Sequence, residues 1–205
     1  MSYSNLKTGD LLLFDNEGGG SMGCFSKLIK KFTHSNITHV GMVLKDPTYI
    51  NPSLKGYYVW ESGWEGDPDP QDGIIKFGVQ ITPLEEMIQN YKRDNGIIYV
   101  RRVNYNRNIF CSENILKIHK VVYEKVYDII PTDWMNALFR RDTSPQKTDR
   151  FWCSALVGYI YTQCECLHPN TDWSFLRASD FYTKYNGKIK FINNCYLENK
   201  EVEIL

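Results

Sequence analysis

Residues 38–44 read Thr-His-Val-Gly-Met-Val-Leu, and the fold that we expect for the whole chain is built outward from this stretch. Successive side chains of a β-strand point to opposite faces, so His39, Gly41 and Val43 share one face of a predicted strand. Because Gly41 has no side chain, it leaves room beside His39 for another part of the chain. We therefore predict a strand that presents a histidine to a neighbouring element.

Further strands are predicted before and after this one. Short β-branched or aromatic stretches, each bounded by Gly, Pro, Asn or Asp, are typical of strands separated by turns. They lie at Leu11–Phe14, Thr38–Leu44, Tyr57–Glu61, Gly78–Ile81 and Ile97–Val103, with a last strand at Lys188–Ile192.

Helical spacing of apolar residues predicts the other layer of the fold. The predicted helices are Cys24–Phe32, Pro83–Tyr91 with Thr82 as its N-cap, Ser112–Ile130, and a short turn at Asp133–Phe139. A final helix is predicted to begin near Thr148, which places Cys153 in its first turns. The sequence thus indicates an α+β protein in which an antiparallel sheet packs on a helical layer.

Length and charge limit the number of domains and the classes of partner that we expect. A chain of 205 residues with 42% hydrophobic content predicts a single domain over residues 1–205. Lys plus Arg (24) balances Asp plus Glu (24), which argues against a nucleic-acid partner. The amino-terminal residues do not resemble a secretory signal, and no apolar stretch of about 18 residues predicts a transmembrane segment. We expect a cytoplasmic protein with reduced cysteines, and the sequence leaves its oligomeric state open.

Cys153, His39 and Glu61 are the candidate catalytic residues. A cysteine near a helix N-terminus is favoured as a thiolate by unpaired N–H groups and the helix dipole, although free cysteines are commonly small core residues. His39 is a candidate base, with a half-buried structural histidine as the alternative. Glu61 ends an aromatic strand and is a candidate to orient His39, or else a solvated charge.

Four segments, in this order along the chain, resemble the permuted NlpC-type papain-like cysteine hydrolases, in particular the YaeF/YiiX-like group, which has poxviral members. They are Leu6–Phe14, Thr38–Val43, Val59–Ser62 and Trp152–Leu156, and the likeness extends to Ala178–Tyr182. In the permuted group the histidine strand precedes the cysteine helix, as it does here. If the chain is viral, its expected location is the host cytoplasm or the virion.

The resemblance implies a circularly permuted papain-like domain with a barrel-like antiparallel sheet. It implies Cys153 as nucleophile, His39 as base and Glu61 as the acidic partner. Tyr127, in a Tyr-Asp pair before the cysteine helix, is implied as an oxyanion or substrate contact, and the alternative is the buried end of a helical stripe. Cys153 is followed by Ser-Ala here, where the group often has Ser-Glu.

The expected reaction is hydrolysis of an amide or ester carbonyl through a Cys153 thioester, with no cofactor. The resemblance implies a small peptide, amide or acyl-ester substrate. One alternative is a lipid acyltransferase or thioesterase of the same superfamily, which typically has an Asn-Cys-Glu-His signature that Phe151-Trp152-Cys153 lacks. A second alternative is a catalytically inactive binding or effector module on this fold.

Two other motifs are interpreted as structural. Cys164, Cys166 and His168 are zinc-ligand types, but their close spacing and the missing fourth ligand favour ordinary reduced cysteines, and we predict no metal. Gly18–Gly20 lacks the lysine of a phosphate-binding loop and is predicted to be a mobile loop.

Overall fold

The computed structural model describes residues 3, 5–16, 30, 34–105, 108–128 and 148–205. Three predicted features lie outside these residues: the Cys24–Phe32 helix apart from Lys30, the Asp133–Phe139 turn, and the Gly18–Gly20 loop. All statements below concern the described residues.

The fold is α+β. The strands are β1 (Leu11–Asp15), β2 (Ile37–Lys45), β3 (Tyr57–Gly63), β4 (Gly78–Pro83), β5 (Ile97–Arg101), β6 (Val103–Asn104), β7 (Val126–Tyr127), β8 (Arg150–Phe151), β9 (Tyr196–Leu197) and β10 (Val202–Glu203). The helices are α1 (Leu84–Arg93), α2 (Ser112–Val122) and α3 (Cys153–Gln163). Short 3₁₀ turns follow at Trp173–Phe175, Ala178–Phe181 and Thr183–Tyr185.

Eight of the described strands form one curled, half-barrel sheet in the order β10-β5-β1-β2-β3-β4-β7-β8. The paired neighbours are antiparallel except β7 and β8, which are parallel. The remaining two described strands, β6 and β9, pair with each other. The curled sheet therefore places the first strands of the chain, β1 to β4, at its centre.

Each face of the sheet is covered by helices. Leu13, Met42 and Trp60 belong to a buried cluster that includes the apolar side chains of α2 and α3. The opposite face, with Phe14 and Val59 among its residues, packs against α1. None of the described helices is long and apolar enough to cross a membrane.

The strand predictions of the first half are confirmed, with ends that differ by a few residues. His39, Gly41 and Val43 lie on the α1 face of β2, as their alternation predicted. A Cβ atom on Gly41 would overlap the Val59 side chain of the adjacent strand, so the space at Gly41 is taken up by β3. The strand predicted at Lys188–Ile192 is wrong, because only Phe191 makes a bridge there, to Leu167.

Two helix boundaries and one cap differ from the prediction. The helix that begins at Ser112 ends at Val122, since Tyr123 has a non-helical ψ of 138° and Glu124 has a positive φ of 60°. Val126 and Tyr127 then join the sheet, so Tyr127 is not the end of a helical stripe. The last helix begins at Cys153 itself, because Arg150–Phe151 pair with β7. Thr82 does not cap α1, since its hydroxyl donates to Glu61.

Candidate active site

The candidate site lies where β2 and β3 separate. Their pairing begins at Lys45 and Tyr57 and ends at Met42 and Trp60. Beyond that point the Val40 N–H donates to the Cys153 sulfur, and the Ser62 hydroxyl donates to the Phe151 carbonyl at 2.7 Å. One backbone N–H of β2 and one side-chain hydroxyl of β3 thus bond to residues 151–153. This brings the N-terminus of α3 next to His39.

His39 is oriented by a buried carboxylate. Its Nε2 atom lies 2.5 Å from Oε2 of Glu61, and the Glu61 side chain is fully buried in β3. The other carboxylate oxygen accepts a hydrogen bond from the Thr82 hydroxyl at 2.8 Å. A buried carboxylate with both oxygens bonded has little freedom to turn, so it holds the imidazole in one orientation.

Space around this pair is limited by Gly63. A Cβ atom at residue 63 would lie 3.4 Å from Cε1 of His39 and 3.6 Å from Oε2 of Glu61. Larger side chains at this position would press directly on the His39–Glu61 hydrogen bond. A methyl group would still fit here at van der Waals distance, so the position excludes only longer side chains.

Cys153 makes a hydrogen bond with the His39 ring, and its sulfur also accepts from the N–H groups of Val40 and Ser154. Since Nε2 is bonded to Glu61, the sulfur faces Nδ1. Burial favours the neutral thiol, but the His39 ring and the two N–H groups outweigh it, so the pKa of the Cys153 thiol is lowered.

Burial would likewise lower the pKa of His39, but the Cys153 sulfur and the Glu61 carboxylate outweigh it and hold that pKa well above its ordinary value. Opposite shifts on two bonded groups favour transfer of the thiol proton to the ring. The arrangement therefore favours a thiolate–imidazolium pair.

The first turn of α3 offers further donors. No side chain caps this helix, and Trp152, at the N-cap position, is extended. The Ser154 hydroxyl is occupied, because it donates to the Leu176 carbonyl at 2.6 Å. Backbone N–H groups of a first turn lack partners within the helix, and the helix dipole makes their surroundings positive. An anion formed beside Cys153 would be stabilised here.

Tyr127 is brought to the same place by β7. Its ring stacks on Phe77 with centroids 5.0 Å apart, and only 8% of the residue is exposed. Burial, the Cys153 sulfur and Asp128 raise the pKa of the Tyr127 hydroxyl well above its ordinary value. The hydroxyl therefore keeps its proton and can donate a hydrogen bond.

Glu65 and Tyr91 are site neighbours that the sequence did not indicate. Burial and the Glu61 carboxylate raise the pKa of Glu65 to about 8. The Tyr91 ring contacts the Phe14 ring in a tilted arrangement with centroids 4.8 Å apart, and the Phe14 and His39 ring centroids are 5.3 Å apart. Glu65 follows β3 in a loop and Tyr91 lies in α1, so only the tertiary fold brings them together. No spacing signal in the sequence identifies them.

The residues considered for zinc lie elsewhere. Cys166 hydrogen-bonds with Cys195, and Nδ1 of His168 accepts the N–H of Asn170 at 3.1 Å. Among the described residues, no group of three or more His, Cys, Asp or Glu side chains is arranged to hold a metal ion. The absence of metal stays a prediction.

Comparison with known proteins finds no matching family model and no matching curated protein. The function therefore has to be inferred from the chemistry of Cys153 and its neighbours.

Proposed function

We propose that this chain is a cysteine-dependent hydrolase, an amidase or peptidase on a circularly permuted papain-like domain, that acts on an amide or ester carbonyl through a Cys153 thioester. One observation carries the proposal: a continuous series of hydrogen bonds from Cys153 through His39 to Glu61 at the first turn of α3. A thiol, a base and a group that orients the base are the parts of a nucleophilic triad.

In the first half of the reaction the Cys153 thiolate attacks the substrate carbonyl carbon, and the carbonyl π electrons move to oxygen. The resulting oxyanion accepts hydrogen bonds from first-turn N–H groups of α3 and from the Tyr127 hydroxyl. When the tetrahedral intermediate collapses, the protonated His39 gives its Nδ1 proton to the leaving amine or alcohol. The acyl group is then held on sulfur as a thioester.

In the second half, neutral His39 takes a proton from water as the water oxygen attacks the thioester carbonyl. Collapse of this second intermediate breaks the carbon–sulfur bond and releases the carboxylic acid. The sulfur leaves as a thiolate beside the protonated His39, which restores the resting pair. Glu61 stays hydrogen-bonded to Nε2 throughout and stabilises the imidazolium. Side chains, backbone and water supply every step.

The permuted papain-like assignment is supported by chain order and layering. His39 lies on an early strand and Cys153 on a later helix, which is the permuted order. The cysteine helix packs on a curled, mainly antiparallel sheet and meets the histidine at its first residue. This is the relation of helix to sheet that the resemblance implies.

The test is to incubate the chain with 4-nitrophenyl acetate and to locate any acetyl adduct by intact mass and peptide mapping. We expect one acetyl group on Cys153 that decays with time, and none in Cys153→Ala. Cys111→Ala is the matched control, because Cys111 is a partly exposed free cysteine outside the site. No adduct on Cys153 in the wild-type chain would overturn the proposal and favour the binding-module alternative.

The same experiment separates hydrolase from transferase. A primary amine or a primary alcohol is added in excess once the acetyl group is on Cys153. A hydrolase releases acetate at a rate that hardly depends on the added acceptor. If release instead becomes dependent on the acceptor and yields acetylated acceptor, the chain is an acyltransferase.

A further inference from the structure

Two thiols lie in contact at the end of α3 that is farther from the candidate site. Cys166 follows this helix, and Cys195 directly precedes β9. Both are free cysteines, and the Cys166 thiol makes a hydrogen bond with the Cys195 sulfur. The proposed hydrolase reaction does not use them, because Cys153 lies at the first residue of the helix.

The position of Cys166 is set by the way in which α3 ends. Glu165 has a positive φ of 57°, and its N–H donates to the Thr162 carbonyl at 3.0 Å. The N–H of Cys166 donates to the Tyr161 carbonyl at 2.8 Å. These two bonds form a Schellman motif, in which a left-handed residue turns the chain back across the last turn of the helix. The backbone of Cys166 is therefore fixed without any help from its thiol.

The position of Cys195 is set by a tight turn. Asn193 and Asn194 have φ values of 55° and 58°, and the Cys195 N–H donates to the Ile192 carbonyl at 2.9 Å. Positive φ at both central residues is typical of a type I′ turn, whose first and last Cα atoms lie within about 7 Å. The Asn193 side-chain amide also donates to the Glu165 carbonyl at 2.9 Å, which ties this turn to the end of α3.

Backbone pairing joins the two segments directly. Phe191 forms an antiparallel bridge with Leu167, and the Ile192 N–H donates to the Cys166 carbonyl at 3.0 Å. A disulfide needs Cα atoms about 4.4–6.8 Å apart. Two thiols in contact on segments that are paired in this way can therefore be joined with little movement of the backbone.

The two thiols differ in access and in protonation. Cys195 is 5% exposed, whereas Cys166 is fully buried. Burial and the Cys195 sulfur raise the pKa of the Cys166 thiol, so Cys166 keeps its proton and donates it in the hydrogen bond. An oxidant that approaches from solvent therefore meets the sulfur of Cys195 first.

We propose that Cys166 and Cys195 are a modification site, a dithiol that hydrogen peroxide converts to a disulfide. The Cys195 sulfur attacks one peroxide oxygen, the O–O bond breaks, and Cys195 becomes a sulfenic acid as the first water leaves. The Cys166 sulfur then attacks the sulfenic sulfur and the S–O bond breaks. The Cys166 proton leaves with the hydroxide as the second water. Two thiols thus lose two electrons, and one peroxide is reduced to two waters.

The disulfide ties the end of α3 to β9, which pairs with β6. Because it closes a loop of about 30 residues, it restricts the unfolded chain and stabilises the folded one. This site is separate from the candidate active site, so the inference holds or fails independently of the hydrolase proposal.

The test treats the full chain carrying Cys153→Ala with a small excess of hydrogen peroxide, so that the thiol of the candidate site does not consume the oxidant. Remaining thiols are alkylated in denaturant, and the digest is mapped without reduction. We expect one disulfide, between Cys166 and Cys195, that dithiothreitol reverses. The thermal midpoint should rise by about 5–10 °C on oxidation.

Variants in the same background identify the order of the steps. Cys166→Ala should stop the reaction at a sulfenic acid on Cys195, which dimedone labels, and Cys195→Ala should give no cross-link. Cys164→Ala is the matched control, because it removes another buried thiol at the end of the helix, and the disulfide should still form.

The peptide map of the parent chain decides the proposal even where a variant does not fold. Complete alkylation of both Cys166 and Cys195 after peroxide treatment overturns it. A disulfide from Cys164 to Cys195, or a thermal midpoint that falls on oxidation, overturns it as well.

Discussion

Two cysteines at opposite ends of α3 behave differently although both are buried. Cys153 begins the helix and is 6% exposed, whereas Cys164 follows its last residue and is 1% exposed. The pKa of Cys153 is lowered, whereas burial, with Cys111 and Cys195 nearby, raises the pKa of Cys164 to about 12. Burial opposes the thiolate in both places.

The difference in pKa comes from the groups that surround each sulfur. Cys153 has the His39 ring and two N–H donors at the positive end of the helix dipole. Cys164 lies at the negative end among other thiols, and its own N–H is bonded to the Ile160 carbonyl at 2.9 Å. The groups around the sulfur therefore decide whether a buried cysteine in this chain is reactive, since burial alone keeps the thiol protonated and inert.

The largest expected effect is in alkylation at pH 6. A thiol with a pKa of about 12 has roughly one part in a million as thiolate at that pH, whereas Cys153 is favoured as the thiolate of an ion pair. Brief iodoacetamide treatment and peptide mapping should label Cys153 at least about 10⁴-fold faster than Cys164. The preference should shrink in His39→Ala, which removes the cation. Equal labelling of both cysteines would remove the contrast between the two helix ends.

Substitutions of the residues that are hydrogen-bonded in turn to Cys153 should slow its acylation by decreasing amounts with distance from the sulfur. His39→Ala should slow acylation of Cys153 by about 10²- to 10⁴-fold, since it removes the base. Glu61→Gln replaces a charged hydrogen bond worth about 1.5–3 kcal/mol and should cost roughly ten- to a hundredfold. Thr82→Val removes a bond worth about 1 kcal/mol and should cost roughly fivefold. Stopped-flow acylation rates test the order, and a larger effect for Thr82 than for His39 contradicts it.

Glu65 provides a smaller, pH-dependent test. Its pKa is raised from an ordinary 4.5 to about 8, so between these pH values the unfolded chain loses this proton first and stability falls as pH rises. Glu65→Gln removes that penalty. It should raise the free energy of unfolding by about 2 kcal/mol at pH 8, allowing for partial exposure of the side chain, and change it little at pH 4.

Urea unfolding at the two pH values measures this effect of Glu65. Glu203→Gln, an exposed carboxylate on β10, is the control and should show no such dependence. If Glu65→Gln changes the free energy of unfolding by the same amount at pH 4 and at pH 8, the carboxyl is solvated and charged at the site.

The smallest expected effect concerns metal at the other end of α3. We predict that a chelator leaves the thermal midpoint unchanged and that elemental analysis finds no stoichiometric zinc. A structural zinc would couple metal binding to folding and lower the midpoint markedly when it is removed. One zinc per chain would mean that Cys164 and Cys166 are held by metal, and the contrast with Cys153 would need another cause.

Local patterns in the sequence were sufficient for the central strands and for the face of β2 that carries His39. Side chains of a strand alternate between its two faces with a period of two residues. His39, Gly41 and Val43 were therefore assigned to one face correctly. The structure brings His39 into contact with Glu61 and Cys153, the set that the family resemblance implied and that local patterns alone did not fix. The catalytic roles of these residues stay predictions.

Helix ends and the wider surroundings of the site were decided by the tertiary structure. The apolar spacing after Val122 continues at Val126, yet the chain leaves the helix because Val126 and Tyr127 pair with Gly78 and with residues 150–151. Those partners are distant in sequence, and periodicity carries no information about them.

By itself the sequence determined the central strands and the type of most of the later elements, since these follow from side-chain patterns within a few residues. Only the tertiary structure decided that His39, Glu61 and Cys153 meet, that α3 begins at Cys153, that Tyr127 lies in a strand, and that Glu65 lies near His39 and Glu61. The physical reason is that burial, charge and ring contacts between distant segments exist only after the sheet has curled and its strands have paired.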